Sequence, residues 1–293
     1  MKNGTIVINS YNDSPSYLYQ VNRFILEAKK FDIDLKVMKT SELKLTIESR
    51  VSSKINSFGD FIIFNDKDIL IAKMLEIMGY KLFNSSLSIE NCDNKFLTQL
   101  SLANNDIKMP LSIPSLLCYY DEPKIDKGYI DFIKENIKFP LVFKEDYGSV
   151  GKNVFLINDE KMLDFFLGKY KNKPFLLQEF IASSYGRDIR VICIGGKFVT
   201  AMLRVNKNNF QSNIGFGGQG YSFKASKKLI ELSERIAKLL NLSFCGIDFL
   251  IGEKEDEYYL CEVNSNAFFK EIEKVSKKNI AFLYLEYINS VIY

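Results

Sequence analysis

Short apolar runs alternate with longer amphipathic ones through the first 85 or so residues, and this alternation constrains the fold more than any other feature. The runs are TIVIN, SYLYQVNRFILEAKKF, IDLKVMK, DFIIFN, DILIAKMLEIMGY and KLFN. In order they predict strand, helix, strand, strand, helix and strand, the pattern of a small α/β unit with a largely parallel sheet. Such units often bind nucleotides, but TIVINSYNDSP lacks the GxGxxG pattern, so a structural α/β lobe is the simpler interpretation.

The pattern changes near residue 90, where we place the first domain boundary. The segment DNKFLTQLSLANNDIKMP predicts one helix that ends near Pro110. A helix near residues 129–136, the strands FPLVFKED, NVFLI and PFLLQEFI, and the helix DEKMLDFFLGKY follow. Residues 91–181 are therefore predicted to form a small α+β lobe.

The third unit, residues 182–293, begins with a predicted β-hairpin. Two apolar runs in RDIRVICIGGKFVTAMLRV flank Gly195 and Gly196, and adjacent glycines can both take the positive φ angles of a two-residue turn. A polar, glycine-rich segment follows. The strands SFCGIDFLI and EYYLCEVNSN and the helices SKKLIELSERIAKLLN, FFKEIEKVS and IAFLYLEYINSVI are then predicted.

The absence of histidine restricts the chemistry that this chain can perform. It excludes Ser-His-Asp and Cys-His catalysis and His-bound zinc, which leaves carboxylates, Lys, Arg, Tyr, Cys and a bound metal. The five cysteines form no CxxC pair, which favours a reduced, cytoplasmic compartment. The 39 Lys+Arg and 36 Asp+Glu leave a net charge of +3, so no nucleic-acid partner is predicted. No apolar run reaches the roughly 20 residues of a membrane span and no secretory signal is recognised, so we expect a soluble protein without a membrane partner.

The last predicted hairpin brings together oxygen atoms that suit a magnesium ion. If its turn is centred near Glu255, Asp248 faces Glu262, and Asn264 points to the same side of the sheet. Carboxylate and amide oxygens are ligands that Mg²⁺ prefers, and the ion would offset the repulsion between the two acids. The alternative is that one acid faces solvent, or that a one-residue register shift separates them.

A glycine-bearing loop, KEDYGSVGKNV, follows the predicted strand PLVF. Lys144 ends this strand, and Gly148, Ser149 and Gly151 expose backbone N–H groups that can cover phosphates. The segment is not a P-loop because no GK[ST] opens a helix, and a simple turn between two strands remains the alternative.

A third candidate segment is QEFIASSYGRDIR. Gln178 and Glu179 lie on a strand that leads to Asp188 and Arg190, whose i, i+2 spacing places them on one strand face. Backbone groups there could bind an adenine and the carboxylate a ribose, whereas an exposed strand end with a surface ion pair is the alternative.

Taken in order, six motifs resemble those of the ATP-grasp superfamily, and within it of the RimK-like carboxylate–amine (alpha-L-glutamate) ligases. They are Lys95 in CDNKFLT, KEDYGSVGKNV, LLQEFI, GRDIR, CGIDFL and CEVNSN. The resemblance covers about residues 81–290. It implies a Rossmann-like α/β domain over residues 1–90, a small central α+β lobe over 91–181, and a C-terminal antiparallel-sheet lobe over 182–293.

The resemblance also implies a role for each matching position. The magnesium (or manganese) ligands would be Asp248, Glu262 and Asn264. The ATP phosphates would contact Lys95 and Lys144, under a loop of Gly148, Ser149 and Gly151. The adenine would lie against Gln178, Glu179, Phe180 and Ile181, and the ribose near Asp188. Arg204 and Lys144 would act in catalysis. Beside them, Gln211, Ser212 and Asn213 would bind the nucleotide.

The implied enzyme is an ADP-forming ligase, in which a carboxylate attacks ATP and an amine then attacks the resulting acylphosphate to form an amide. The substrates would be an amino acid, a peptide or a small metabolite, and the resemblance leaves room for a homo-oligomer. Gln211 stands where relatives often have an arginine, and NIGFGGQG lacks a basic pair, which makes a strongly acidic co-substrate less certain.

Two other functions stay open at this point. The reduced number of cations around Gln211 fits an ATP-binding regulatory or scaffold protein that has lost turnover, although the intact metal and lysine positions speak against it. Nucleic-acid binding rests only on the small positive charge and on 24 Phe and 16 Tyr, and core packing explains these aromatic residues better.

Overall fold

The computed structural model describes residues 2–120, 125–148 and 151–292. Its N-terminal lobe contains the elements β1 (Lys2–Ile8), α1 (Pro15–Ala28), β2 (Ile33–Lys39), β3 (Leu45–Ile47), β4 (Val51–Ser53), β5 (Phe61–Asn65), α2 (Ile69–Ile77) and β6 (Leu82–Phe83). The main sheet has the order β2-β1-β5-β6 with parallel pairing throughout, which confirms the predicted parallel sheet. The small hairpin of β3 and β4 is absent from the sequence prediction because its mainly exposed residues show no apolar alternation.

The central lobe is built on an antiparallel sheet with the order β7-β10-β8-β9. Its elements are α3 (Ser86–Asp93), α4 (Lys95–Leu102), β7 (Ser112–Pro114), α5 (Lys127–Asn136), β8 (Leu141–Glu145), β9 (Val154–Ile157), α6 (Glu160–Tyr170) and β10 (Phe175–Glu179).

The single helix predicted over residues 93–110 is wrong. Asn94 has an extended backbone that separates α3 from α4, and its side chain caps α4 by accepting a hydrogen bond from the Leu97 N–H. Beyond Leu102, Asn104 and Asp106 adopt positive φ angles of 62° and 48°, so the helix ends well before Pro110.

The C-terminal lobe has an antiparallel sheet with the order β13-β12-β11-β14-β15. Gly195 and Gly196 have φ angles of 57° and 72°, which confirms the predicted two-residue turn. The elements are β11 (Arg187–Ile194), β12 (Lys197–Val205), β13 (Gln219–Ser222), α7 (Lys227–Leu239), β14 (Phe244–Ile251), β15 (Tyr258–Asn264), α8 (Lys270–Ser276) and α9 (Ile280–Val291).

Hydrophobic side chains of the first and last lobes pack together. One core joins residues of β1 and α1 to residues of β14, α8 and α9, and in it the Phe269 ring lies 5.6 Å from that of Phe24 and 6.2 Å from that of Phe244. The central lobe has its own core around Phe143. The domain limits at residues 1–90, 91–181 and 182–293 remain a prediction. Among the described residues, no helix has both the length and the apolar character needed to span a membrane.

Candidate active site

A cleft between the central and C-terminal lobes gathers most of the predicted site residues. Ser149 lies outside the described residues, and Asn264 is not part of the lining although it ends β15, which contributes Glu262. The predicted residues that line the cleft are Lys95, Lys144, Gly148, Gly151, Gln178, Glu179, Phe180, Ile181, Asp188, Arg204, Gln211, Ser212, Asn213, Asp248 and Glu262.

Lys144 projects from β8 into this cleft and is 8% exposed. Its ammonium group donates to Gln178 Oε1 at 2.6 Å and lies 3.6 Å from Cys261 Sγ. The Gln178 amide also donates to Ser112 Oγ at 2.9 Å. These contacts place the Lys144 charge at the junction of the two lobes, where an anionic ligand in the cleft can reach it.

Lys95 enters the cleft from the first turn of α4. Its Nζ donates to the backbone oxygens of Glu145, Asp146 and Gly148 at 3.1, 3.3 and 3.2 Å. Burial lowers the pKa of Lys95, while the nearby Glu262 carboxylate acts in the opposite direction. A second cation thus lies at the start of the glycine loop.

The register of the last hairpin agrees with the sequence prediction. Asp248 on β14 pairs with Glu262 on β15, and Asn264 pairs with Gly246. A β-bulge directly after Asp248 shifts the rest of the ladder by one residue. The two carboxylates are therefore neighbours across adjacent strands, and Asp248 is only 3% exposed.

Two arginines explain how the sheet tolerates this pair of acids. Arg190 lies opposite Asp248 on β11, with Nε 2.5 Å from Oδ1 and Nη2 2.6 Å from Oδ2. Arg204 approaches Asp248 Oδ2 at 2.9 Å. Burial alone would raise the pKa of Asp248, but these two guanidinium groups lower it to about 2.

Arg204 is itself shared between two acids. Its Nε and Nη2 lie 2.6 and 2.5 Å from the carboxylate oxygens of Asp188, across the β11–β12 pairing. Burial opposes the charged guanidinium, and the Asp188 and Asp248 carboxylates outweigh this by raising the pKa of Arg204. Asp188 and Arg190 do share a strand face, as predicted, but each forms its ion pair with a neighbouring strand.

Oxygen donors of the type that Mg²⁺ prefers lie at this end of the sheet. Asp248, Glu262 and Asn264 provide carboxylate and amide oxygens, and the Asn264 side-chain nitrogen is buried without a hydrogen-bond partner. Among the described residues no three His, Cys, Asp or Glu side chains form a metal cluster. Both Asp248 oxygens contact guanidinium groups, so an ion bound here would share that carboxylate with Arg190 and Arg204.

Part of the cleft wall is apolar and aromatic. The Phe180 ring lies 6.4 Å from Phe210 and 6.3 Å from Tyr185, both edge-on. Phe210 and Leu250 also line the cleft, although sequence reasoning did not select them. An apolar wall with backbone polar groups at its edge is the usual environment of a planar base.

Gln211 contacts the glycine loop from the C-terminal lobe. Its Nε2 donates to the backbone oxygens of Gly151 and Val154 at 3.0 and 3.2 Å. Gly151 has a φ of 75°, and an added Cβ there would lie 3.2 Å from Asn213 Oδ1. The side-chain nitrogen of Gln211, a residue that the resemblance assigns to the nucleotide site, is therefore bonded to the protein itself.

The three lobes and the cleft with two lysines, a glycine loop and paired carboxylates define an ADP-forming carboxylate–amine ligase with the ATP-grasp fold. A family model described as the RimK-like ATP-grasp domain matches residues 92–288. The chain belongs to this family, which confirms the resemblance found in the sequence.

Curated relatives agree with this assignment. The chain is 30% identical over 293 residues to an uncharacterized protein of Mycoplasma genitalium, with 98% of this chain and 100% of the relative covered. It is 30% identical over 282 residues to beta-citrylglutamate synthase B of Mus musculus, covering 89% and 70%. It is 28% identical over 246 residues to alpha-aminoadipate–LysW ligase LysX of Saccharolobus solfataricus, covering 78% and 85%.

Solved structures confirm the ATP-grasp fold. The ATP-grasp ligase PsnB complexed with a minimal precursor superimposes with a TM-score of 0.72 at 16% identity, covering 99% of each chain. The D-alanine–D-alanine ligase of Bacillus anthracis complexed with ATP gives a TM-score of 0.73 at 15% identity, covering 99% of this chain and 98% of that one.

Proposed function

We propose that the cleft binds ATP with a divalent metal ion and that the enzyme joins a carboxylic acid to an amine. The observation that carries this proposal is that Lys95, Lys144 and the Asp248–Glu262 pair line one cleft. Two cations beside two carboxylates suit the phosphates of a metal-bound nucleotide.

The reaction proceeds in two displacements. A carboxylate oxygen of the acid attacks the γ-phosphorus of ATP, and the bond to the β-phosphate oxygen breaks to release ADP and leave an acylphosphate. The amine nitrogen then attacks the acyl carbon, the C–O bond to phosphate breaks, and the amine loses a proton. No histidine is required, because positioning and charge stabilisation supply most of the catalysis.

Each group in the cleft has a proposed part in this reaction. Lys144 and Lys95 hold the phosphates, and the glycine loop covers them. Asp248, Glu262 and Asn264 would hold Mg²⁺ or Mn²⁺, which neutralises phosphate charge when bound. Arg204, fixed by Asp188 and Asp248, provides a positive field beside the transferred group.

The adenine end of the cleft is proposed to be the segment from Gln178 to Ile181 together with the Phe210 ring. The Asp188 carboxylate, although paired with Arg204, remains the proposed contact on the ribose side. Ser212 and Asn213 are proposed to contact the nucleotide from the C-terminal lobe. These roles stay predictions.

The substrates are proposed to be a small-molecule or peptide acid and a small amine. A small-molecule substrate is supported by the relative named beta-citrylglutamate synthase B. A larger substrate is supported by the relative named alpha-aminoadipate–LysW ligase and by the solved ligase complexed with a minimal precursor. Five free cysteines support action in a reducing, cytoplasmic compartment. A homo-oligomer also stays a prediction.

The test is ADP and phosphate release by the purified protein with Mg-ATP, across pools of carboxylic acids with and without pools of amines. We expect release that needs an acid and rises with an amine, and a loss of about 100-fold or more in Glu262→Ala. Glu255→Ala is the matched control, because Glu255 is an exposed acid in the turn of the same hairpin.

Full activity in Glu262→Ala would refute the metal site. ATP binding without acid-dependent ADP release in any pool would instead favour the alternative of a regulatory or scaffold protein.

A further inference from the structure

The glycine loop is held at both ends by side chains from other parts of the molecule. At its start, Lys95 donates to the backbone oxygens of Glu145, Asp146 and Gly148. At its end, Gln211 donates to the oxygens of Gly151 and Val154. Lys95 comes from α4, whereas Gln211 comes from the opposite lobe, across the cleft.

The segment that carries Gln211 is held in place by hydrogen bonds. The Gln211 backbone N–H donates to Asn209 Oδ1 at 3.1 Å, and the Phe210 oxygen accepts from the Gly186 N–H at 2.9 Å. The Asn206 N–H in turn donates to the Gly186 oxygen at 2.7 Å. The segment that carries Gln211 is thereby anchored to the connection between β10 and β11, so its amide is presented from a fixed base.

The contact requires a side-chain nitrogen that donates two hydrogen bonds, and the Gln211 amide provides it without a charge. Gly151 O and Val154 O are both acceptors, and one –NH₂ group supplies both hydrogen bonds. A carboxylate of the same shape offers no hydrogen to either oxygen and would repel both. An arginine is longer and brings a full charge into the cleft.

We propose that Gln211 is a positioning residue for ATP, because its side-chain amide fixes the Gly151–Val154 end of the glycine loop from the opposite lobe before the nucleotide binds. This inference rests on the proposed function, in which the loop lies over the ATP phosphates. Residues 151–154, when held in place in advance, lose less conformational entropy on binding, so the tether strengthens ATP binding without taking part in the chemical steps.

The test compares Gln211→Glu with Gln219→Glu. Both variants replace an amide by its isosteric carboxylate, but Gln219 is exposed on β13 and its Oε1 accepts from the Tyr221 hydroxyl, which a carboxylate also does. Hydrogen exchange of the peptide covering residues 151–157 is measured without ATP, and KM for ATP and kcat are measured separately. A thermal melt establishes that each variant is folded.

We expect Gln211→Glu to exchange about tenfold faster in residues 151–157 and to raise KM for ATP about tenfold, with kcat within about twofold. Gln219→Glu should match the unchanged protein in every measurement. If Gln211→Glu does not fold, Gln211→Asn takes its place, since it keeps the amide but shortens its reach by one methylene.

Unchanged exchange and KM in Gln211→Glu would overturn the inference. A fall in kcat with unchanged KM would also overturn it, because Gln211 would then act on the reacting groups. Failure of the unaltered protein to bind ATP would refute the proposed function, while the exchange measurement would still decide whether the tether exists.

Discussion

At the scale of single residues, the site is organised by four charged side chains on one face of the C-terminal sheet. Asp188 and Arg204 pair across β11 and β12, and Arg190 and Asp248 pair across β11 and β14. Alternating charges in neighbouring strands stabilise each other, which keeps Asp248 ionised despite its burial. Removing Arg190 leaves the buried Asp248 carboxylate with Arg204 as its remaining arginine partner, a loss that costs more than losing a surface ion pair.

Replacement of Arg190 by Met should lower the free energy of unfolding by about 3 kcal/mol at pH 7 in urea titrations. The folded-state pKa of Asp248 lies at about 2, below its unfolded value, so its ion pairs stabilise the protein above pH ~4 and are lost as pH falls toward 2. The cost of Arg190→Met should therefore shrink over that interval. Arg187→Met is the control, because Arg187 is exposed on the same strand and donates to the Ser183 backbone oxygen. A pH-independent difference would contradict the proposed role of the Asp248 charge.

At the scale of elements, backbone contacts join the loop of residues 206–218 to the start of β11. Gly186 lies at this junction with a φ of 63°, and an added Cβ would lie 2.2 Å from the Asn206 backbone oxygen. Gly217 also has a positive φ, 89°, but has no atom within 4 Å of an added Cβ. Alanine variants at these two glycines therefore separate two free-energy costs: that of a positive φ angle alone, and that of a positive φ angle together with steric crowding.

Gly217→Ala should destabilise the protein by about 1 kcal/mol, the ordinary cost of a left-handed alanine. Gly186→Ala should cost at least about 3 kcal/mol, because the Asn206 backbone must also move. Urea unfolding of both variants measures the difference. Equal costs would show that the loop of residues 206–218 adapts freely at Gly186.

The backbone conformation after α4 explains why the helix predicted over residues 93–110 was wrong. The apolar pattern around α4 continues past Leu102, but the positive φ angles of Asn104 and Asp106 end the helix. Asparagine and aspartate tolerate this conformation better than most residues, yet their presence in a helical pattern does not require it. Local propensity therefore located the helix but not its ends.

At the scale of the whole molecule, two of the hydrophobic cores group the lobes differently from their order in the sequence. Phe269 belongs to the core shared by the N-terminal and C-terminal lobes, whereas Phe143 lies at the centre of the core of the central lobe. Both side chains are almost completely buried. The cleft is lined by residues of the central and C-terminal lobes, and neither of these two cores contains residues of both lobes.

Phe269→Ala should destabilise the protein by about 3–5 kcal/mol and accelerate hydrogen exchange in β1 and α9 together, because both elements contribute to that core. Phe143→Ala is the reciprocal variant and should accelerate exchange in β8 and β10 while leaving β1 protected. Mass spectrometry of exchanged peptides measures both. Uniform acceleration throughout the chain in both variants would show that the two cores unfold as one unit.

The sequence by itself determined most of the elements and the class of chemistry. It also determined the Asp248–Glu262 pairing, because the two strands of that hairpin are joined by a short turn and the turn sets their register. The absence of histidine likewise directed the search toward lysines and carboxylates. Only the tertiary structure decided that Arg190 neutralises Asp248 and that Gln211 holds Gly151. Each of these contacts joins residues about 60 positions apart, and local sequence patterns do not specify which distant segments meet.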